Sequence, residues 1–303
     1  MWQPDPEWIR IPGGRGTLTV GVWRARLEGE PCVVKRVRRP GPDDPAALES
    51  PHHPGYWRRE LEVAIADLNW TGLRPTATRR ADEDDEGYEV WSAHVEPGDV
   101  NGLFAAAALG RFAAGEVPRV PWLSQRLLST RVAMAEERGG WTTLSRTTAA
   151  DLADALWRRR RSLLERYDSL PQVLSHGDVV PSNLIAQSGH DVVALDWASL
   201  GTAPAGADLG YFALSSREDF SVLLRTFVQA HGGDEEEIGF AARVMAVMTV
   251  VSQAEWALSR VASGEGALAA KFRHPAVAPY LRALQRQFPQ IEGLLHRRNT
   301  LAG

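Results

Sequence analysis

The sequence of 303 residues contains one cysteine, Cys32, and no long hydrophobic run. A single cysteine cannot form an internal disulfide or supply a cysteine-rich zinc site, which excludes a disulfide-stapled scaffold. The most apolar stretch, residues 240–251, is interrupted by Arg243 and is too short to span a bilayer of about 30 Å as a helix. Residues 1–10 lack the apolar segment of a signal peptide, so we expect a cytoplasmic protein.

An excess of charge of one sign is also missing. The formal net charge is −4 and the isoelectric point is near 6.1, which gives no global reason to bind nucleic acid or an anionic membrane. We therefore expect small molecules or proteins as partners. Hydrophobic residues at 44% and charged residues at 24% exclude disordered, collagen-like and simple coiled-coil chains, because both fractions are globular values.

The residue pattern changes near Pro97 and Gly98, which predicts two lobes in a chain longer than the usual domain of about 100–200 residues. Before this point, β-rich runs predict strands at residues 17–27, 31–37 and 88–95 and helical spacing predicts a helix at 55–69. After it, helices are predicted at residues 121–138, from 148 onward, and at 217–230, 234–263 and 277–295. We expect an α+β fold with a small β-rich N-terminal lobe, residues 1–97, and a larger helical C-terminal lobe, residues 98–303.

Polar side chains that suit phosphoryl transfer interrupt the helical part. They follow or separate short apolar runs, and they are His176, Asp178, Asn183 and Asp196, with Gly177 between the first two. Carboxylate and amide oxygens suit Mg²⁺, which is usually bound by one or two carboxylates together with substrate phosphates. A separate carboxylate is needed to orient an acceptor hydroxyl and take its proton.

At these residues the chain resembles the aminoglycoside phosphotransferase and choline kinase family, small-molecule kinases with a protein-kinase-like fold. The family's catalytic loop reads H-G-D-x-x-x-x-N, and every fixed position is matched from His176 to Asn183. The resemblance implies that Asp178 is the catalytic base or the residue that orients the acceptor, and that Asn183 and Asp196 are the metal ligands. Asp208, in a loose match to a following family stretch, is expected to support the loop. We interpret His176 as a buried histidine that holds the loop by hydrogen bonds.

Lys35 lies in a predicted strand that is otherwise apolar, where a buried ammonium would need a partner. Glu60 on the following helix is the candidate partner, with Glu62 as a rival. The pair resembles the kinase lysine that contacts the α- and β-phosphates and the glutamate that orients it. If Lys35 points inward, Arg36 must point to the opposite face of the sheet. A solvent-facing lysine on an edge strand remains the alternative.

Two further segments resemble parts of a nucleotide site with lower specificity. Gly13, Gly14 and Gly16 resemble a phosphate-covering loop, since glycine permits close backbone approach, although a plain turn fits equally well. The family's interlobe hinge would pass through residues 93–98, where the backbone of His94 and Val95 is expected to bind adenine.

The resemblance implies an ATP- and Mg²⁺-dependent enzyme that phosphorylates a hydroxyl of a small molecule, such as an aminoglycoside-like antibiotic or an amino sugar. Two alternatives stay open, a catalytically silent nucleotide- or partner-binding relative and a choline-type metabolite kinase. Acidic side chains could bind ammonium groups, and tryptophans could enclose a quaternary ammonium. The candidates are Asp99, Asp151, Asp154 and Glu255 for the first, and Trp141, Trp197 and Trp256 for the second.

Overall fold

The computed structural model describes residues 2–12, 16–137, 148–261 and 278–296. Its strands are β1 (Ile9–Arg10), β2 (Thr19–Leu27), β3 (Glu30–Arg38), β4 (Leu73–Pro75), β5 (Thr78–Asp84), β6 (Gly87–Ala93), β7 (Gln172–Ser175), β8 (Leu184–Ser188), β9 (Asp191–Ala194) and β10 (Gly201–Pro204). Its helices are α1 (Arg59–Ile65), α2 (Gly102–Ala113), α3 (Leu127–Glu137), α4 (Thr148–Asp168), α5 (Ala207–Ala213), α6 (Phe220–His231), α7 (Glu235–Val261), α8 (Ala278–Arg286) and α9 (Phe288–His296). The predicted α+β composition is confirmed.

The N-terminal part is an antiparallel sheet in the order β1-β2-β3-β6-β5. Along β3, the side chains of Cys32, Val34 and Arg36 are buried on one face, while Val33 and Lys35 lie half-buried on the other. Arg36 donates a hydrogen bond of 2.7 Å to Asp84 on its own face of the sheet. The prediction that Lys35 and Arg36 point to opposite faces is therefore confirmed. This alternation follows from the strand period of two and leaves Lys35 on the face that α1 covers.

A second sheet, in the order β4-β9-β8, lies next to the helices. Strand β4 comes from the predicted first lobe and pairs in parallel with β9 of the predicted second lobe. The boundary between residues 97 and 98 stays a prediction. The large core surrounds α7, whose Val244, Met245 and Val247 are fully buried. Among the described helices, none combines the length and the apolar character that crossing a membrane requires.

Several elements differ from the sequence prediction. The helix predicted over residues 55–69 is limited to α1, and the one predicted over 277–295 is divided into α8 and α9. Pro289 stands in the first turn of α9, where a proline is tolerated because its missing N–H is not needed there. Helix α2 was not predicted, because its alanine-rich sequence shows little contrast between faces. Asn101 caps it by accepting hydrogen bonds from the amides of Leu103 and Phe104.

Gly72 and Gly29 allow a stability test of how tightly β4 is packed against α2. Both have a left-handed backbone, with φ of 78° and 88°, which costs a non-glycine residue about 1–2 kcal/mol. A methyl group on Gly72 would lie 2.1 Å from the carbonyl oxygen of Ala108, whereas one on Gly29 would meet nothing within 4 Å. We expect G29A to lower the free energy of unfolding by about 1 kcal/mol and G72A by about 3 kcal/mol or more in chemical denaturation. Equal losses would contradict this packing.

Candidate active site

The loop between β7 and β8 is fixed by one buried carboxylate. Asp208, in the first turn of α5, is 6% exposed. It accepts hydrogen bonds from the Ser175 hydroxyl at 2.8 Å, the His176 amide at 2.8 Å and the Gly177 amide at 3.0 Å. A carboxylate satisfied in this way is an anchor for backbone, so the prediction that Asp208 supports the loop is confirmed.

His176 joins this loop to the end of β9. Its side chain is fully buried, and its Nε2 atom lies 3.0 Å from the carbonyl oxygen of Leu195. Because a carbonyl can only accept, we assign the proton to Nε2, which leaves Nδ1 to accept from the amide of Asp178 at 3.3 Å. Burial lowers the pKa of His176 and keeps the ring neutral. The interpretation of His176 as a buried, hydrogen-bonding histidine is confirmed.

Asp178 and Asn183 are in direct contact. The Asn183 side-chain nitrogen donates to the backbone oxygen of Asp178 at 2.9 Å and to its carboxylate at 3.1 Å. The side-chain nitrogen of Asn183 therefore faces Asp178, and the side-chain oxygen of Asn183 points in a different direction. The amide of Leu195 donates to the Asn183 carbonyl at 2.8 Å, and Leu184 pairs with Ala194. Asn183 and Asp196 therefore lie at the same end of the β8–β9 hairpin.

Lys35 is held between two carboxylates. Its ammonium lies 2.5 Å from Glu60 Oε2 and 3.0 Å from Asp196 Oδ1. The rival Glu62 instead lies 3.6 Å from Arg58. The predicted pairing of Lys35 with Glu60 is confirmed, and the contacts exclude a lysine that merely faces solvent. Burial alone would lower the pKa of Lys35, but Glu60 and Asp196 together raise it, so the side chain stays cationic.

Asp196 lies in a backbone conformation that few non-glycine residues adopt. Its φ is 62°, and its side chain is 44% exposed. The Glu60 carboxylate also faces the amide of the next residue, Trp197. Burial, more than the neighbouring Asp196, raises the pKa of Glu60, while Lys35 opposes this rise. The structure thus joins a strand, a helix and a loop through Lys35, Glu60 and Asp196.

The other predicted nucleotide residues are less completely placed. Gly13 and Gly14 lie outside the described residues, and Gly16 lies exposed before β2. The amide of His94 donates to the carbonyl of Pro31 at 3.1 Å, which leaves the His94 carbonyl and the backbone of Val95 for the predicted contact with a base. The predicted roles of these residues stay predictions.

The acceptor candidates are only partly brought to this site. Trp197 is 4% exposed and packs edge-on against His176 with ring centroids 4.5 Å apart, so it cannot form a cation box. Asp154 forms an exposed ion pair with Arg158 at 2.6 Å, and Asp99 is exposed. Trp141 and the side chains of Asp151, Glu255 and Trp256 lie outside the described residues.

Two residues near the site were missed in the sequence analysis. The hydroxyl of Tyr211 lies near the Asp178 carboxylate, and burial, together with this carboxylate, raises the pKa of Tyr211 to about 12 against the opposing effect of Arg131. The Arg131 guanidinium lies 5.3 Å from the centre of the Tyr211 ring. Arg59, next to Glu60, is fully buried. No spacing signal in the sequence marks either Tyr211 or Arg59, because their partners are distant along the chain.

The oxygen atoms of Asn183 and Asp196 fit a magnesium ion that is also bound by phosphates better than a metal ion bound by protein side chains alone. Within the described ranges, no three or more His, Cys, Asp or Glu side chains are gathered as metal ligands. Mg²⁺ is commonly bound by one or two carboxylates, with phosphate oxygens and waters completing its octahedron. The half-exposed Asp196 carboxylate and the amide oxygen of Asn183 fit such a partial set.

His176 predicts a pH dependence of stability. Its pKa is lowered in the folded state, whereas the unfolded side chain titrates near pH 6.5. At pH values between these two pKa values, the unfolded state therefore binds more protons than the folded state. The stabilisation from the neutral ring is present above about pH 6.5 and is lost as the pH falls below it. We expect the free energy of unfolding to fall more in the wild type than in H176Q between about pH 7 and pH 5. Parallel pH curves from urea denaturation would contradict the assignment.

Comparison with known proteins agrees with this geometry. The sequence profile of the phosphotransferase enzyme family matches residues 74–243, more than half of the chain. No curated protein sequence matches the chain significantly.

Several solved structures share the fold along nearly the whole chain. Choline kinase from Streptococcus pneumoniae has 14% identity and a TM-score of 0.57, over 94% of this chain and 93% of that one. A thermostable mutant of an aminoglycoside phosphotransferase, in complex with ADP and hygromycin B, has 11% identity and a TM-score of 0.57, over 94% of each chain. An amicoumacin kinase in complex with AMP-PNP and Ca²⁺ has 13% identity and a TM-score of 0.58, over 96% of this chain and 92% of that one. The predicted protein-kinase-like fold of small-molecule kinases is confirmed, and the chain belongs to the phosphotransferase enzyme family.

Proposed function

We propose that the protein uses Mg²⁺ and ATP to transfer the γ-phosphoryl group to a hydroxyl of a small molecule. The observation that carries this proposal is the convergence of Lys35, Glu60 and Asp196, with Asp196 beside the contacting pair Asp178 and Asn183. A phosphate-binding cation, a metal-binding carboxylate and a candidate base are the parts that phosphoryl transfer requires. Kinases that bind ADP or AMP-PNP share the fold, which supports the choice of nucleotide.

Lys35 binds the α- and β-phosphates, and Glu60 orients it. The raised pKa of Lys35 keeps it charged, as this role requires. Val33, on the same face of β3, and Leu195, which is 36% exposed, supply apolar surface for the base. In this proposal residues 1–97 form the nucleotide-binding lobe, Gly13, Gly14 and Gly16 cover the phosphates, and the backbone of His94 and Val95 contacts adenine.

Asn183 and Asp196 hold the metal ion, which when bound neutralises charge on the β- and γ-phosphates. Asp178 accepts the proton of the acceptor hydroxyl as its oxygen bonds to the γ-phosphorus. The bond from that phosphorus to the bridging oxygen breaks, and the electron pair leaves with ADP. The Asn183 amide donates to the Asp178 carboxylate, and the Tyr211 hydroxyl lies near the same carboxylate, so its orientation is restrained.

For the acceptor we propose a hydroxylated amine, such as an antibiotic or amino sugar, which would give the protein a role in antibiotic resistance. Two structures of the same fold contain hygromycin B or belong to an amicoumacin kinase, which supports this class. A choline-type acceptor is the second candidate, supported by the similarity to choline kinase. We also propose a cytoplasmic location, where ATP is available. An acceptor panel, assayed for the mass gain of one phosphoryl group, tests these assignments, and no turnover on any acceptor would favour a silent relative.

Replacing Asp178 tests the proposed base. We expect D178N to lower kcat by about 10²–10⁴-fold, because an amide cannot take the hydroxyl proton. The affinity for Mg²⁺ and ATP, measured by calorimetry, should change little, since Asn183 and Asp196 remain. Wild-type turnover in D178N would remove Asp178 from the mechanism.

Replacing Asn183 and Asp196 tests the proposed metal ligands. We expect N183A and D196A each to weaken the binding of Mg²⁺ and AMP-PNP by about 10-fold or more in calorimetry, because each removes an oxygen ligand. The exposed Gln187 lies on the same hairpin, and Q187A serves as the matched control with unchanged affinity. Unaltered affinity in the double variant N183A/D196A would place the metal elsewhere.

A further inference from the structure

Arg59 is a fully buried arginine whose bonds all go to backbone carbonyl groups. Nε donates to Trp122 at 2.9 Å, Nη1 to Pro54 at 2.9 Å and to Ala198 at 2.8 Å, and Nη2 to Pro51 at 2.7 Å and to His53 at 2.8 Å. A guanidinium has five N–H groups, so every donor of Arg59 is used. Burial lowers the pKa of Arg59 to about 10, which still leaves it cationic at neutral pH.

These carbonyls belong to three separate parts of the chain. Residues 51–54 precede α1, Trp122 precedes α3, and Ala198 lies in the turn that follows Asp196. The carboxylate of the neighbouring Glu60 lies beside the amide of Trp197 in the same turn. Arg59 and Glu60, which are consecutive in α1, therefore contact the two residues that follow Asp196. Arg59 contacts the carbonyl of Ala198, and Glu60 contacts the amide of Trp197. We name these two contacts the α1 clamp.

The α1 clamp acts on a turn that needs support. Asp196 has a φ of 62°, which is unfavourable for a residue with a side chain and persists only where the surroundings hold it. Lys35 restrains the Asp196 carboxylate, but nothing in that ion pair fixes the peptide groups that follow it. The Arg59 contact to Ala198 and the Glu60 contact to Trp197 supply that restraint.

We propose that Arg59 is a positioning residue that holds Asp196 in the orientation required to bind the metal–nucleotide complex. This inference rests on the proposed function. Lysine cannot replace it fully, because a compact ammonium has three donors and lacks the planar fork that reaches carbonyls on several sides. Loss of a group that orients a metal ligand commonly costs about 10–100-fold in metal affinity.

The test compares R59M and R59K with two controls. R58M removes the preceding arginine, whose ion pairs are made to Glu62 and Glu83, outside the turn after Asp196. L223A removes a fully buried side chain of α6 and lowers stability away from the turn. The binding of Mg²⁺ and AMP-PNP is measured by calorimetry at a temperature where each variant is folded. Hydrogen exchange of residues 196–200 is measured by mass spectrometry without nucleotide.

We expect R59M to bind Mg²⁺ and AMP-PNP about 10–100-fold more weakly and R59K to lie between R59M and the wild type. Exchange at residues 196–200 should be faster in both Arg59 variants and unchanged in R58M and L223A. If R59M does not fold, R59K gives the same comparison. Should both readouts in the folded variants match those of L223A, Arg59 acts on stability alone and the inference is wrong. Wild-type protein that does not bind the nucleotide would refute the proposed function, while the exchange measurement would still test the α1 clamp.

Discussion

The ammonium group of Lys35 between Glu60 and Asp196 is the interaction on which the site depends. A buried ammonium is unfavourable unless it is paired, and a single carboxylate would be enough to balance its charge. The second carboxylate leaves this cluster with one surplus negative charge, located on the more exposed Asp196. A site of this kind attracts a further cation, which is why we assign Asp196 to the metal and Glu60 to the lysine.

Buried polar groups hold this arrangement mainly through backbone atoms. Asp208 binds two amides of the loop that follows β7, His176 binds the carbonyl of Leu195 and the amide of Asp178, and Arg59 binds carbonyls only. Contacts of this type depend on where the chain runs and little on which side chains it carries there. The 11–14% identity to kinases of the same fold is consistent with that, because the contacted segments are free to change in sequence.

The sequence predicted the parts of the site whose residues are close together or have a recognisable spacing. His176, Asp178 and Asn183 follow a fixed pattern, and the strand carrying Lys35 could be paired with the helix carrying Glu60 because a buried ammonium needs a partner. The contact between Lys35 and Asp196 joins residues far apart along the chain, and no local pattern specifies it. Arg59 resembles its neighbour Arg58 in sequence, and only the tertiary contacts to Trp122 and Ala198 distinguish the two. Helix α2 was missed for the related reason that alanines give no periodic contrast.

The most direct test of the central claim is a crystal structure of the protein with Mg²⁺ and AMP-PNP. We predict that the Lys35 ammonium lies against phosphate oxygens while keeping Glu60, and that the Asp196 carboxylate and the Asn183 amide oxygen lie about 2.1 Å from the metal. A nucleotide bound away from Lys35, or a metal that neither Asp196 nor Asn183 contacts, would contradict the account.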